Sequence, residues 1–151
     1  MKFVLPTNTL YYSIEKAIKT YRKFAQKRLS EVVGDITLDQ ALLLLLINEQ
    51  PKLSQVSMAE LLFKDHASLT RMINLLVKNG YLLKDGHPTD GRRTQLSCTD
   101  KATIALKRLR PVIAENRKIG LTGISREQSN LLKSALETIT MNCEKGPGST
   151  V

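Results

Sequence analysis

Apolar residues recur at helical spacing along most of the chain, and the breaks in that spacing divide it into elements. From about Asn8 to Leu29, the positions Leu10, Ile14, Ala17, Ile18, Tyr21, Ala25 and Leu29 share one face, separated by Lys, Arg, Gln and Glu. This pattern predicts a long amphipathic helix. Gly34 interrupts it, and Thr37-Leu-Asp-Gln40 then has the form of a capping box, in which the Thr hydroxyl and the Gln side chain satisfy amides left unpaired by the first turn. The segment TLDQALLLLLINEQ is apolar on nearly every side, as suits a helix packed centrally among others, and it ends before Pro51. LLLLLI also reads as a strand, but the capping box and the helix preference of unbranched Leu argue for helix.

Ser57-Met-Ala-Glu60 is a second capping box, opening a short helix, MAELLF, that ends near Phe63. Asp65 or His66 caps the next helix, in which Leu69, Ile73, Leu76 and Val77 keep helical spacing up to Gly80, a natural left-handed stop. Two short helices joined by a tight turn are the skeleton of a helix-turn-helix. Beyond Gly80, Tyr81-Leu-Leu-Lys84 reads as a strand, residues 85–91 are dense in turn formers, and Thr94 to Cys98 alternates as a returning strand. The loop of this hairpin carries Arg92 and Arg93 at its far end.

Thr99 caps the following helix, DKATIALKRLR, with Ile104, Leu106 and Leu109 as its apolar positions and Lys107, Arg108 and Arg110 opposite or flanking them. Pro111 either kinks that helix or begins a new segment. IGLTGI reads as a turn before Ser125-Arg-Glu-Gln128, another capping box, after which Leu131, Leu132, Ala135, Leu136 and Ile139 occupy one side of a last helix. The tail KGPGSTV reads as frayed, and no internal repeat is present. The expected fold class is mainly α with a small β-hairpin wing: a winged helix-turn-helix over about 36–98, helical dimerisation regions at about 8–30 and 99–145, and a flexible tail at 146–151.

Charge is where composition changes the picture. Among 151 residues, 23 Lys and Arg stand against 14 Asp and Glu, a net charge of +9, while 42% of residues are hydrophobic, enough for a buried core. Nucleic acid, an anionic membrane and an acidic protein all attract such a surface. The longest apolar run, Ala41 to Ile47, falls short of the ~20 residues a bilayer span needs. The first residues lack the pattern of a signal peptide, so a cytoplasmic protein is expected, neither exported nor integral to a membrane. Cys98 and Cys143 are too few for a disulfide framework, and neither they nor His66 and His87 have the clustering of a metal site. No metal or cofactor is expected, and no enzyme signature is present.

The chemistry of the second helix of the pair suits the DNA major groove. Its first turns carry His66, Ser68, Leu69, Thr70, Arg71 and Asn74. Arg71 can fork onto a guanine, Asn74 can pair with an adenine, and Ser68 or Thr70 can bond a phosphate or a base. Leu69 is in phase with Ile73, which suits the core, although an apolar side chain here can also touch a thymine methyl. The plain alternative is that the polar residues simply face water. On the hairpin loop, Arg92 and Arg93 suit a narrow minor groove, with Asp90 pairing with Arg92 and orienting it. There the alternative is a surface loop with an incidental ion pair.

Taken together, Glu60-Leu61-Leu62, Ser68-Leu-Thr70-Arg71, Leu76 to Gly80, Pro88-Thr-Asp90-Gly-Arg92 and Thr99 resemble the MarR family of bacterial transcriptional regulators. Cys98, where an aliphatic residue is usual, and Ala102, where Gly is usual, depart from its pattern. The resemblance implies Asp90 and Arg92 as a wing pair, and Ser68, Thr70 and Arg71 as recognition-helix contacts to double-stranded DNA. It also implies a homodimer built from the first and last helices, and a pocket for a small aromatic or phenolic effector. Tyr11, Tyr12 and Tyr21 are candidates to line that pocket, against the plainer reading that they serve packing or dimer contacts. Neither cysteine occupies the early-helix position usual for peroxide-sensing members. The expected function is a sequence-specific regulator acting on an inverted repeat. The rival readings are a winged-helix protein-interaction module and a nonspecific architectural DNA binder.

Overall fold

Capping side chains determine where most of the helices begin. The computed structural model describes residues 5–86, 89 and 94–147, and it contains six α-helices and one hairpin among them. Thr9 accepts from the Tyr12 amide at 3.2 Å, so α1 runs Leu10–Ser30, starting slightly later than the hydrophobic pattern suggests. α2 is Leu38–Glu49, opened by the expected reciprocal box: the Gln40 amide donates to the Thr37 hydroxyl at 3.2 Å and the Thr37 amide to the Gln40 side chain at 2.9 Å. α3 is Gln55–Leu61 and departs from the sequence reading. Its cap is Ser54, which accepts from the Ser57 amide at 3.1 Å, so Ser57 already lies in the first turn and does not cap.

Asp65 caps α4, His66–Lys78. This helix closes on a Schellman motif: Gly80 has φ +77°, its amide donates to the Val77 carbonyl at 3.0 Å, and the Tyr81 amide donates to the Leu76 carbonyl at 2.9 Å. β1, Leu82–Gly86, and β2, Thr94–Cys98, pair antiparallel with Leu82 opposite Cys98 and Gly86 opposite Thr94. Thr99 then caps α5, Asp100–Gly120, and donates its hydroxyl to the Gly80 carbonyl at 2.7 Å, tying the end of α4 to the start of α5. Pro111 lies inside α5 without dividing it. α6, Arg126–Lys145, opens with the expected Ser125–Gln128 box.

The chain forms two compact units, 1–116 and 117–151. In the first, α2 lies at the centre, and this accounts for its lack of a polar face. Leu43, Leu44 and Ile47 pack in one cluster with Leu29 of α1, Leu69, Ile73 and Leu76 of α4, Leu82 and Leu96 of the hairpin, and Leu106 and Leu109 of α5. Gln40 is buried with its carbonyl oxygen accepting in the capping box, whereas the buried amide of Asn116 has no hydrogen-bond partner among the described residues. The apolar face of α5 is Ala102, Ala105, Leu106, Leu109 and Ile113; Ile104 points to solvent, contrary to the sequence reading. Ion pairs lace the unit from outside: Arg28 of α1 with Glu115 of α5, and Arg110 of α5 with Glu49 of α2.

Only Ala25 and Leu29 of α1 are buried, while Leu10, Tyr11 and Ile18 are exposed. In the second unit, no described residue is buried, and Leu131 on the apolar side of α6 is 65% exposed. Among the described residues, no helix is long and apolar enough to cross a membrane.

Candidate nucleic-acid interface

α4 divides cleanly into an inner and an outer face. Leu69, Ile73 and Leu76 are sunk into the core, and the 3.6-residue period then turns His66, Arg71, Asn74 and Lys78 to solvent, with Ser68 and Thr70 half-buried at the boundary. Leu69 is 0% exposed and has no access to a base edge, so its place among the DNA contacts is corrected. The phase it shares with Ile73 commits it to anchoring the helix.

The exposed N-terminal turn is organised around one carboxylate. Asp65 accepts from the Ser68 amide at 2.7 Å and from the Ser68 hydroxyl at 3.0 Å, and that hydroxyl accepts from the Arg71 guanidinium at 3.0 Å. The bond from the Ser68 amide, with that from its hydroxyl, holds the Asp65 carboxyl below the usual carboxylate range, and the charge of Arg71 adds to this. The chain Asp65–Ser68–Arg71 keeps Arg71 close to the helix N-terminus, with the rest of its guanidinium donors available to a ligand. Thr70 donates its hydroxyl to the His66 carbonyl at 2.9 Å and retains acceptor capacity. A helix N-terminus presenting Arg, Asn, His and hydroxyl groups, on a helix anchored by its opposite face, can bind phosphates and read base edges. Asp90, Arg92 and Arg93, like His87, lie outside the described residues.

Two side-chain clusters hold this element in place, and the sequence reading missed both. Asp39, at the start of α2, accepts from Arg22 of α1 and from Lys64 of the α3–α4 turn, the latter at 2.7 Å. Burial opposes ionisation of Asp39, but the two cations prevail and its pKa is lowered. The second cluster lies at the far end of α4. The Tyr81 hydroxyl donates to Asp35 at 2.7 Å, and Lys101 sits 4.2 Å from the Tyr81 ring centroid, 3.6 Å from Asp35, and donates to the Asn79 carbonyl at 2.7 Å. The α3–α4 turn was missed in a different way: Phe63 adopts φ 55° and is 95% exposed. The signal available for it was the absence of Gly where a short helix must stop.

No group of three or more His, Cys, Asp or Glu that could hold a metal occurs among the described residues. Cys98 is half-buried with its thiol 3.7 Å from the Leu44 carbonyl, and burial pushes its pKa up; Cys143 lies exposed on α6.

Comparison with known proteins agrees with this geometry. The MarR family model matches residues 36–94. The chain is 31% identical over 130 residues to the organic hydroperoxide resistance transcriptional regulator of Bacillus subtilis, a match covering 86% of this chain and 83% of that relative. Among solved structures, Bordetella bronchiseptica BpsR, whose DNA binding is regulated by 6-hydroxynicotinic acid, superposes with a TM-score of 0.81 at 14% identity, covering 92% of this chain and 98% of that one. S. aureus MepR, solved in complex with DNA, superposes with a TM-score of 0.78 at 18% identity, covering 88% and 97% respectively. The two structures share the fold, and the identity to the Bacillus subtilis regulator extends over most of both chains. The chain therefore belongs to the MarR family of winged-helix, DNA-binding transcriptional regulators, which are not enzymes.

Proposed function

We propose that this protein is a cytoplasmic, sequence-specific regulator that binds double-stranded DNA as a homodimer, with one α4 in each of two successive major grooves. The observation that carries this reading is the split of α4, where Leu69, Ile73 and Leu76 anchor the helix while Arg71, Asn74 and His66 face outward beside the Asp65–Ser68 cap. In this reading residues 36–98 are the DNA-binding lobe, Arg92 oriented by Asp90 reaches the minor groove, and Arg93 adds to the phosphate attraction. Dimerisation is supported by the helices that flank the lobe. α6 buries no described residue, and the outer half of α1 exposes Leu10, Tyr11 and Ile18, so a second copy has apolar surface to cover. Two-fold symmetry then requires an inverted repeat with half-sites roughly 10 bp apart.

Regulation by a small aromatic acid is the effector class we favour, by analogy with the hydroxynicotinic acid that regulates BpsR. The raised pKa of Cys98 leaves little thiolate at neutral pH, and with Cys143 it completes the chain's cysteines, so neither α1 nor α2 carries a thiol. That favours ligand control over thiol oxidation, despite the name of the Bacillus subtilis relative.

Selection of bound sequences from random duplex DNA tests the reading. A palindromic motif is expected, with Arg71→Ala weakening its binding and reducing the salt slope by about 1. A selected motif without two-fold symmetry would favour an architectural binder, and failure to enrich any sequence would leave the protein-interaction module standing.

A further inference from the structure

The turn that delivers the recognition helix is built around a residue that gains nothing from the fold. α3 ends in a Schellman motif: the Phe63 amide donates to the Glu60 carbonyl at 3.1 Å and the Lys64 amide to the Ala59 carbonyl at 2.8 Å. The left-handed position of that motif is ordinarily glycine, because any side chain there crowds its own backbone. Here it is Phe63, with φ 55°, the one non-glycine residue at positive φ among the described residues. Its ring is 95% exposed, so no packing offsets either the strained backbone or the wetted aromatic surface. By contrast, the two residues that follow are committed. Lys64 is held 2.7 Å from Asp39, and Asp65 caps α4 through Ser68. Phe63 is the uncommitted side chain of the turn, two residues before the cap of the helix whose N-terminal end faces the groove.

We propose that Phe63 is a DNA-contacting residue, its ring lying on deoxyribose and thymine methyl groups at the edge of the major groove beside α4. The proposal rests on the assignment of α4 as the recognition helix and extends that interface through the chain into the preceding turn. DNA is the occupant because the turn is continuous with the N-terminus of α4 and the chain carries a net charge of +9, which favours a polyanion over an apolar protein surface. A ring contributes surface and shape here and no charge. Its contact is therefore insensitive to salt, unlike that of Arg71.

The test exploits the backbone. Phe63→Gly removes the ring and relieves the left-handed strain, and Phe63→Asn removes the ring while tolerating the same φ. Full-length wild type, both variants and Arg71→Ala are titrated against the duplex selected by the wild type, at several salt concentrations, alongside thermal melts. The expected result for Phe63→Gly is a melting temperature equal to or above wild type with binding about tenfold weaker, as covering ~50 Å² of apolar ring implies. Its salt slope should match wild type, while Arg71→Ala lowers the slope. If both Phe63 variants bind as tightly as wild type, the proposal is overturned while the α4 assignment stands, and the ring then serves a protein partner or nothing. If the wild type selects no DNA, or Arg71→Ala binds normally, the α4 assignment fails as well.

Discussion

Replacing Tyr81 with Phe isolates one hydrogen bond at the junction of recognition helix and hairpin. The ring is 2% exposed and Phe keeps its volume, its packing and the Lys101 ammonium over its face, so only the hydroxyl donated to Asp35 is lost. A hydrogen bond to a charged acceptor is worth ~1.5–3 kcal/mol. The Asp35 side chain is 55% exposed, however, and water competes for the carboxylate and replaces the lost donor. We therefore expect a loss of about 1 kcal/mol at pH 7, which lowers the urea midpoint by ~0.5 M.

The pH dependence of that loss tests its cause. The Tyr81 hydroxyl is the main influence holding the Asp35 carboxyl below its ordinary 3.8. A depressed carboxylate stabilises the fold at pH values above its unfolded pKa and ceases to do so as pH falls through the folded one. Tyr81 is shifted the other way: burial, then the bond to Asp35, pushes its pKa up to about 12. Its contribution is complete below the ordinary tyrosine value of 10.0 and fades as pH rises toward about 12. The difference between wild type and Tyr81→Phe should thus be flat from about pH 5 to about pH 9 and narrow on both sides. Urea melts across that range, at one fixed protein concentration, provide the measurement. A difference of the same size at pH 3 and pH 7 would refute the carboxylate bond as the source, and no difference at pH 7 would refute the bond altogether.

Leu69→Ala should cost about 2–5 kcal/mol of stability, since it opens a cavity under α4, and it should leave the bases contacted unchanged; a changed selected motif without a drop in urea midpoint would return Leu69 to the interface. A Cys143→Ser variant, leaving Cys98 as the remaining thiol, should react with iodoacetamide more slowly at pH 7 than an unstructured peptide thiol and accelerate on unfolding. Equal rates in the folded and unfolded protein would show that burial does not protect it.

Features encoded within a few residues were legible in the sequence. Thr37 with Gln40, Ser125 with Gln128, Gly80 and Thr99 all act through partners three to five positions away, except that Thr99 also reaches Gly80. Ser57 was misread because Ser54 stands one turn earlier, and the chain caps at the first serine whose oxygen meets an amide. Leu69 stood in both sets, and the packing of Ile73 and Leu76 decided for the core. Ile104 failed because small residues carry the buried face of α5: Ala102 and Ala105 sit where bulk would be expected. Side-chain bonds that join distant segments left no local trace. Nothing in the sequence around Asp39 points to Arg22, 17 positions before it, and nothing around Tyr81 points to Asp35, 46 positions away. The apolar side of α6 was legible, but what covers it is not part of the unit that contains it.

The Asp39 junction gives the molecule a joint with a defined sequence of release. One carboxylate grips two cations on separate elements, Arg22 on α1 and Lys64 in the turn before α4. When a single charge serves two partners, either can let go without leaving a buried ion unmatched. A swing of α1 away from α2 therefore sheds Arg22 first, while Lys64 keeps the turn seated. Small movements of the outer helix are absorbed as play. Only a displacement that carries α2 with it shifts the footing of the recognition helix, so the joint sets a threshold that a stimulus must exceed before the reading head moves.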